Sequence, residues 1–207
     1  MREGARGMNG KFFDLKKDKQ DRMINAALKV FALNGYRHAS TDEMVREAAI
    51  SKGLLFHYFG SKLGLYTFVY DYSVRYMSLE LSTAVDREET DLFELMRQTE
   101  GAKLSAMRGY PYMQQFLNRA GVEDVSEALL AIEEKRDILE NVYAEIFNRV
   151  DPAGLPEGVD ADRLRKMLDL TIKGLMTERF VEASFQPEML YQEIEEYLDM
   201  MKKLCAQ

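Results

Sequence analysis

The stretch that decides the fold is residues 26–65, AALKVFALNGYRHASTDEMVREAAISKGLLFHYFGSKLGL. It holds the start and stop signals of consecutive short helices. Ser40 followed three residues later by Glu43 forms a capping box, in which two side chains satisfy free backbone N–H groups of the first turn. Ser51 can cap a further helix in the same way. Gly60 then breaks the pattern, so the sequence predicts two short helices separated by only a few residues.

The flanking sequence predicts a longer helix on either side. Ile24, Ala27, Leu28 and Phe31 recur at helical spacing and form one apolar stripe, which indicates a helix from about Lys16. Asn34-Gly35 ends that helix, since glycine adopts the left-handed conformation easily. The short helices follow at about residues 41–49 and 51–59, and a long fourth helix at about 62–85. Two short helices joined by a tight turn are typical of a helix-turn-helix.

The net charge of −7 conceals an asymmetry along the chain. Residues 1–62 hold 12 basic and 7 acidic residues, whereas residues 63–207 hold 16 basic and 28 acidic residues. The net charge of the first part is therefore +5 and that of the second −12. A basic head on an acidic body is typical of a DNA-binding module attached to a domain with another role, although chance clustering of charge would give the same asymmetry.

The rest of the chain keeps the helical period, which predicts an all-α fold of about nine helices. Helices are expected at about residues 91–107, 112–120, 123–150, 161–185 and 187–204, with a loop at residues 151–160, where two prolines and two glycines occur. No stretch alternates apolar and polar residues, so we expect no sheet. The expected organisation is a flexible arm (1–15), a helix-turn-helix DNA-binding domain (16–62) and an effector-binding and dimerisation domain (63–207).

Composition argues against several classes of protein. Cys205 is the only cysteine, which excludes a disulfide framework within the chain. No apolar stretch approaches the roughly 20 residues that span a bilayer, and no leader is recognisable, so we expect a cytoplasmic protein without a membrane partner. We find no phosphate loop, nucleophile elbow or metal-ligand pattern, and we therefore expect no enzyme, cofactor, catalytic residue or metal.

Residues 26–65 resemble the DNA-binding region of the TetR family of transcriptional regulators. The resemblance rests on four landmarks in the family's order, which are Asn34-Gly35-Tyr36, Ser40-Thr41, Ala49-Ile50-Ser51-Lys52-Gly53 and Phe56-His57-Tyr58-Phe59-Gly60-Ser61-Lys62. Beyond this region the chain resembles the family only in length and helical character. The resemblance implies a homodimer that binds double-stranded operator DNA.

The resemblance also implies the roles of individual residues. Four residues would contact phosphates: Thr41, Ser51, Tyr58 and Lys62. Four would face base edges: Lys52, Gly53, Phe56 and His57. Their chemistry fits these roles, since hydroxyl and ammonium groups donate to phosphate, lysine can donate to guanine, and an aromatic ring can contact a thymine methyl group.

The sequence departs from the family's pattern at three positions. Phe56 stands where the family often has tyrosine, so one hydroxyl contact to DNA is expected to be missing. Leu54 is apolar at an often polar position. Leu63-Gly64 replaces the glutamates that usually follow Lys62, which places a poor helix former in the first turn. We hypothesise that this loosens the joint between the head and the ligand domain, so that Gly64→Ala would stiffen it.

Effector-binding residues are less well marked. The resemblance implies a cavity among the middle helices, and the candidates with suitable chemistry are Phe116, Tyr143, Phe147 and Met176. Each also lies on an apolar helical stripe, so a simple core role is the main alternative.

The last two helices are apolar on more than one face, which indicates a second partner such as another subunit.

The function that we expect is therefore a repressor released from a pseudo-palindromic operator by a small-molecule effector. Neither the identity of the effector nor repression as opposed to activation can be decided from the sequence. The two other classes of protein that we considered are an all-helical enzyme of small-molecule metabolism and a helical adaptor whose helix-turn-helix packs against protein.

Overall fold

The protein is helical throughout the parts of the chain that the structure describes, residues 11–180 and 186–205. Within these ranges the computed structural model contains nine α-helices, one short 3-10 helix and no strand, which confirms the expected all-α fold. The helices are α1 (Lys17–His38), α2 (Thr41–Glu47), α3 (Lys52–Phe59), α4 (Lys62–Ala84), α5 (Leu92–Gly109), α6 (Met113–Ala120), α7 (Ser126–Phe147), α8 (Ala161–Arg179) and α9 (Pro187–Cys205), with the 3-10 helix at Pro152–Gly154.

The ends of the helices follow local capping. The predicted helix at 123–150 is shorter than expected, because the Glu123 carboxylate accepts from the backbone N–H groups of Asp124 and Val125 and turns the chain before α7 begins. The loop predicted at 151–160 is confirmed apart from the 3-10 turn. Residues 181–185, predicted to end the penultimate helix, lie outside the described residues.

The chain divides into two compact units. The first consists of residues up to Tyr76 together with Tyr110–Ile138, and the second of Met77–Gly109 together with the residues from Leu139 onward. The functional boundary expected between residues 62 and 63 stays a prediction.

Aromatic rings form much of the core of the first unit. The Phe31 ring of α1 lies 5.0 Å from that of Tyr66 on α4 and 6.0 Å from that of Phe116 on α6. These three side chains are almost completely buried. Because aromatic pairs in tilted or edge-to-face geometry add to the free energy of apolar burial, this cluster fixes α1, α4 and α6 against one another.

The segment Lys11–Leu15 was expected to belong to a flexible arm, and this part of the prediction is wrong. Phe12 is fully buried, and its ring lies 5.3 Å from that of Phe59 and 5.0 Å from that of Phe68. The Gln20 side-chain amide donates to the carbonyls of Phe13 and Leu15, at 3.1 and 2.7 Å, and holds the segment against α1. The expectation for residues 1–10 lies outside the described part of the chain.

The second unit has an aliphatic core built by α5, α8 and α9. Arg97 of α5 links α5 to α9 at the rim through an ion pair to Asp199 at 2.5 Å, and it also pairs with Glu94 of its own helix at 3.0 Å. The buried core consists of Leu92, Phe93, Met96, Met107, Leu164, Leu168, Ile172, Met176, Leu190, Ile194 and Leu198.

A second apolar set on α8 and α9 points outward. Met167 and Leu170 are 46% and 61% exposed on α8, and Met189, Met200 and Leu204 are about half exposed or more on α9. Within each helix these residues are separated by three or four positions or by a whole number of helical turns. The two residues of α8 therefore share one face of that helix, and the three residues of α9 share one face of theirs. We call these five side chains the outer stripe.

Candidate nucleic-acid interface

The two short helices begin at the caps that the sequence predicts. Ser40 Oγ accepts from the backbone N–H of Glu43 at 3.4 Å, and Ser51 Oγ accepts from that of Leu54 at 3.2 Å. Each serine thereby satisfies a donor that has no partner within its helix. The helix-turn-helix pattern predicted for this segment is present.

The turn between the helices depends on an unusual alanine. Ala49 has φ of 52°, and it is the only described residue other than glycine with a positive φ. The Ile50 N–H donates to the carbonyl of Val45 at 3.0 Å, which closes the end of α2. The predicted second helix at 41–49 is therefore too long, because the left-handed residue needed by the turn ends α2 at Glu47.

The start of α3 presents an open face. Ser51, Lys52, Gly53 and His57 are exposed, whereas Leu55 on the opposite face is buried. A Cβ atom added at Gly53 would have no neighbour within 4 Å, so no described residue covers the backbone at this position. Four of the eight predicted DNA-contacting residues thus lie together on one accessible surface.

Lys52 already has a partner on α2. Its Nζ lies 2.8 Å from Asp42 Oδ1, and the two side chains are 50% and 72% exposed. A surface ion pair of this kind contributes about 0–1 kcal/mol, so Lys52 can exchange Asp42 for an acceptor on DNA at little cost. The pair also holds the ammonium group close to the helix-turn-helix surface.

Phe56 and Tyr58 are less accessible. Phe56 is half-buried, and Tyr58 is only 9% exposed, with its ring 5.9 Å from that of Phe12 and 5.0 Å from that of His57. Phe12 therefore supports the α3 aromatic side chains from behind. Sequence reasoning missed this residue, and the only available signal was the pair of aromatic residues within an otherwise polar segment.

Thr41 and Lys62 lie at the first positions of α2 and α4 and are both half-buried. Lys62 Nζ donates to the carbonyl of Arg37 at 3.2 Å and lies 4.8 Å above the Tyr36 ring. Burial lowers the pKa of Lys62, although the nearby carboxylates of Glu123 and Glu127 act in the opposite direction. In this geometry Lys62 joins the start of α4 to the end of α1.

Tyr36 binds the same two carboxylates directly. Its backbone N–H donates to Glu123 Oε2 and its hydroxyl to Glu127 Oε1, both at 2.8 Å. Burial, the hydrogen bond to Glu127 and the charge of Glu123 raise the pKa of Tyr36 to about 12. The end of α1 is thereby fixed to the start of α7 and the turn before it by two charge-assisted hydrogen bonds, which sequence reasoning did not predict.

The hypothesis about Gly64 is wrong. A Cβ atom at this position would lie 2.0 Å from the carbonyl oxygen of Phe59, a separation that backbone atoms cannot tolerate. The backbone N–H of Gly64 donates to Ser61 Oγ at 3.0 Å, so the first turn of α4 keeps a cap without glutamates. Glycine is therefore required at the close approach between α3 and α4.

The four effector-binding candidates are divided between the two units of the chain. Phe116 lies in the aromatic core of the first unit. The other three belong to the second unit, where the Tyr143 ring faces Lys103, the Phe147 ring faces Arg165, and Met176 is buried in the aliphatic core. Their role in ligand binding stays a prediction.

Two negative observations apply to the described residues. No helix there has the combination of length and apolar character that a membrane crossing requires. Nor do three or more histidine, cysteine, aspartate or glutamate side chains come together there in a way that could hold a metal ion.

Two short capped helices, a left-handed turn between them and an open, lysine-bearing face on the second define a helix-turn-helix protein. Residues 23–67 match the family model described as bacterial regulatory proteins, tetR family. This segment is thus similar to the DNA-binding region of the tetR family, in agreement with the landmarks in residues 26–65.

A curated relative and solved structures are also similar to this chain. The uncharacterised HTH-type transcriptional regulator YuxN of Bacillus subtilis (strain 168) is 41% identical over 59 residues, which cover 27% of this chain and only 20% of that protein. The TetR-family regulator PfmR from Thermus thermophilus is 22% identical with a TM-score of 0.59, covering 88% of this chain and 97% of PfmR.

The regulator FadR from Bacillus subtilis, solved in complex with stearoyl-CoA, is 19% identical with a TM-score of 0.61, and the match covers 86% of this chain and 96% of FadR. At identities this low, the structural similarity shows that the fold is shared and nothing more. These relatives are described as transcriptional regulators and not as enzymes.

Proposed function

We propose that the protein is a sequence-specific DNA-binding transcriptional regulator, a repressor released from a pseudo-palindromic operator by a small-molecule effector. The observation that carries the proposal is the open face at the start of α3, where Ser51, Lys52, Gly53 and His57 are exposed together. The N-terminal part of a recognition helix is the part that reaches base edges in the major groove.

The eight residues divide into two kinds of contact. Lys52, Gly53, Phe56 and His57 face the bases, and Lys52 donates to guanine acceptors after leaving Asp42. Thr41, Ser51, Tyr58 and Lys62 position the head on phosphates. The net charge of +5 over residues 1–62 attracts the head to the polyanion, in contrast to the acidic remainder of the chain.

The regulator acts as a homodimer through α8 and α9. The outer stripe supports this proposal, because five large apolar side chains at helical spacing on two adjacent helices suit a symmetric four-helix contact. Two identical heads then bind two half-sites, and the two-fold symmetry of the dimer makes the operator pseudo-palindromic.

Release by an effector requires two conformations of the dimer, one that binds DNA and one that does not. The effector needs only a higher affinity for the second conformation than for the first. A coupling of about 1–3 kcal/mol is typical of such switches. The structure of FadR in complex with stearoyl-CoA supports a small-molecule ligand for this fold. For this chain the candidate ligand contacts are Tyr143, Phe147 and Met176 in the second unit and Phe116 in the first.

The test is DNA binding by the purified full chain to genomic fragments that flank its own gene, measured across a salt series. We expect saturable binding to one fragment, with affinity that falls steeply as salt rises. Lys52→Ala should weaken this binding by about ten-fold or more, as expected for loss of a base contact worth about 1–3 kcal/mol.

The matched control is Lys166→Ala, which removes the same charge from an exposed position on α8. Equal losses for the two variants, or no fragment preferred over random DNA after unfolding and refolding to remove any bound ligand, would count against the proposal. Repression is tested by transcription from the bound fragment, which should fall when the protein is added.

A further inference from the structure

The second unit contains a cluster of polar and charged side chains next to its aliphatic core. Three helices each contribute a pair of residues four positions apart, which therefore lie on one face of the helix. The pairs are Thr99 and Lys103 on α5, Tyr143 and Phe147 on α7, and Arg165 and Asp169 on α8. We call these six side chains the polar cluster.

Two cations of this cluster lie over aromatic rings of α7. Lys103 Nζ is 5.5 Å from the centre of the Tyr143 ring, and the Arg165 guanidinium is 4.9 Å from the centre of the Phe147 ring. Both contacts are cation–π interactions, which are strongest where water is excluded. They bring α5, α7 and α8 together around one point.

The charges of the cluster are already balanced. Lys103 Nζ lies 2.5 Å from Glu100 Oε1, and Arg165 Nη1 lies 3.6 Å from Asp169 Oδ2. Burial alone would lower the pKa of Lys103, but Glu100, Tyr143 and Asp169 together raise it, so the ammonium group stays charged.

The hydrogen-bond donors, in contrast, are not all used. Thr99 Oγ1 and Arg165 Nε are inaccessible to water and find no hydrogen-bond partner in the described part of the chain. Thr99 as a whole is 1% exposed. A guanidinium N–H can neither accept nor lose its proton, so only an acceptor can satisfy it. Leaving such a donor unpaired inside a protein costs about 1–3 kcal/mol.

The apolar core begins directly beside these donors. The Phe147 ring that faces Arg165 also packs against the aliphatic core, which includes Met96, Met107 and Met176. Methionine side chains adapt their shape to a bound apolar group more easily than branched ones. A ligand with an acceptor at one end and an apolar body would therefore match both surfaces.

From this juxtaposition we infer that the polar cluster is a binding site for the carboxylate group of an amphipathic effector, held by Thr99, Lys103 and Arg165 with its apolar body among the methionines. This inference rests on the proposed function, because it names the ligand class of the proposed effector site. A carboxylate supplies the acceptors that the free donors need, whereas an ammonium group has no acceptor and would leave Arg165 Nε unpaired.

The experiment compares three ligands that share one apolar chain, octanoate, octan-1-ol and octylamine, using calorimetry and thermal unfolding of the full protein. We expect octanoate to bind and to raise the Tm, and the alcohol and the amine to bind at least about ten-fold more weakly. Preferential binding of octylamine, or no binding of any of the three, would overturn the inference.

Thr99→Val provides a variant that should fold. It replaces an unpaired buried hydroxyl by a methyl group of similar size, so the stability of the ligand-free protein should stay equal or rise. Octanoate affinity should nevertheless fall about ten-fold. The matched control is Thr83→Val on α4, whose exposed hydroxyl donates to the Leu79 carbonyl and should not affect octanoate.

Arg165→Met tests the charged donor while it keeps much of the apolar stem, and it should weaken octanoate binding more than octanol binding. If both Thr99→Val and Arg165→Met bind octanoate as the unmodified chain does, the inference fails. Operator binding is measured separately in the absence of octanoate. Specific operator binding without octanoate binding would overturn this inference alone, and octanoate binding without operator binding would overturn only the proposed function.

Discussion

Two glycines of the helix-turn-helix region are alike in the sequence but have opposite structural roles. Gly53 faces open space, whereas Gly64 lies against the backbone carbonyl of Phe59. We expect Gly64→Ala to destabilise the first unit by about 1–3 kcal/mol, because the added methyl group must displace backbone atoms. Urea denaturation followed by circular dichroism measures this change.

Gly53→Ala is the matched control, since the same methyl group there meets no neighbour within 4 Å. Its stability should be unchanged or higher by up to about 1 kcal/mol, because alanine favours a helix over glycine. Its affinity for operator DNA should fall, because the Cβ atom occupies the face that we propose approaches the bases. A Gly64→Ala protein as stable as the unmodified chain would contradict the close approach.

Tyr36 gives a pH-dependent prediction. Its pKa is about 12 in the folded chain, compared with 10.0 ordinarily. A raised folded-state pKa contributes stability that is fully present below pH 10 and is lost as the pH rises from about 10 to about 12. Tyr36→Phe should be less stable at pH 8 by about 1.5 kcal/mol, because the hydrogen bond to the Glu127 carboxylate is gone.

The difference in free energy of unfolding between the unmodified protein and Tyr36→Phe should become smaller between pH 8 and pH 11. Only the unmodified protein has the Tyr36 hydroxyl, so only it loses stability as this hydroxyl is deprotonated. Chemical denaturation at a series of pH values measures the difference between the two proteins, so that the titration of other tyrosines cancels. If the stability difference between the two proteins stays constant over this range, the pKa of Tyr36 is not higher in the folded chain than in the unfolded chain.

Individual residues were predictable where the cause is local. The caps at Ser40 and Ser51 depend on residues only three positions apart, and the sequence predicted both. The requirement for Gly64 depends on where α3 ends relative to α4, and the polar cluster around Lys103 depends on three helices distant in the sequence. Sequence periodicity carries no information on such packing.

At the scale of elements, the turn between α2 and α3 has one residue in an unfavourable backbone conformation, and a substitution there can stabilise the protein. Ala49 has a left-handed backbone with φ of 52°, which costs an alanine about 1–2 kcal/mol. Glycine adopts this conformation without that penalty but loses more entropy on folding. We therefore expect Ala49→Gly to raise the free energy of unfolding by about 0.5–1 kcal/mol, measured by urea denaturation.

Ala48→Gly is the control for the same turn. Ala48 is the C-cap of α2, has right-handed helical φ and ψ angles and is 1% exposed, so glycine there gains nothing from its freedom and loses a buried methyl group. That variant should be less stable than the unmodified protein. If both variants are destabilised equally, the left-handed conformation of Ala49 is not a source of strain.

Helices were predictable as elements, but their ends were less so. The apolar stripe of α1 and the glycine-rich loop before α8 were predicted from periodicity and composition. The segment before α1 was not, because its polar residues and glycines indicated an arm although Phe12 is fully buried. A single aromatic residue can anchor a polar segment when a matching aromatic pocket, here formed by Phe59 and Phe68, lies elsewhere in the chain.

At the scale of the whole molecule, the outer stripe of α8 and α9 provides the test of the proposed dimer. Leu170 and Met200 are 61% and 48% exposed in a single chain. In a two-fold dimer each would be buried against its symmetry-related helices, so Leu170→Glu or Met200→Glu would place like charges in an apolar contact. We expect either variant to convert the dimer into a monomer of 23.9 kDa, measured by light scattering after size exclusion.

Leu130→Glu is the matched control, because Leu130 is 70% exposed on α7 and lies outside the outer stripe. It should leave the dimer intact. In the proposed mode of binding, two heads bind a pseudo-palindromic operator at once, so the monomeric variants should also lose most of their operator affinity. The single head of each monomer should keep the weak, salt-dependent attraction to any DNA. An unmodified protein that is already monomeric at micromolar concentration, or a Leu130→Glu variant that dissociates as readily as Leu170→Glu, would contradict the proposal that α8 and α9 form the dimer.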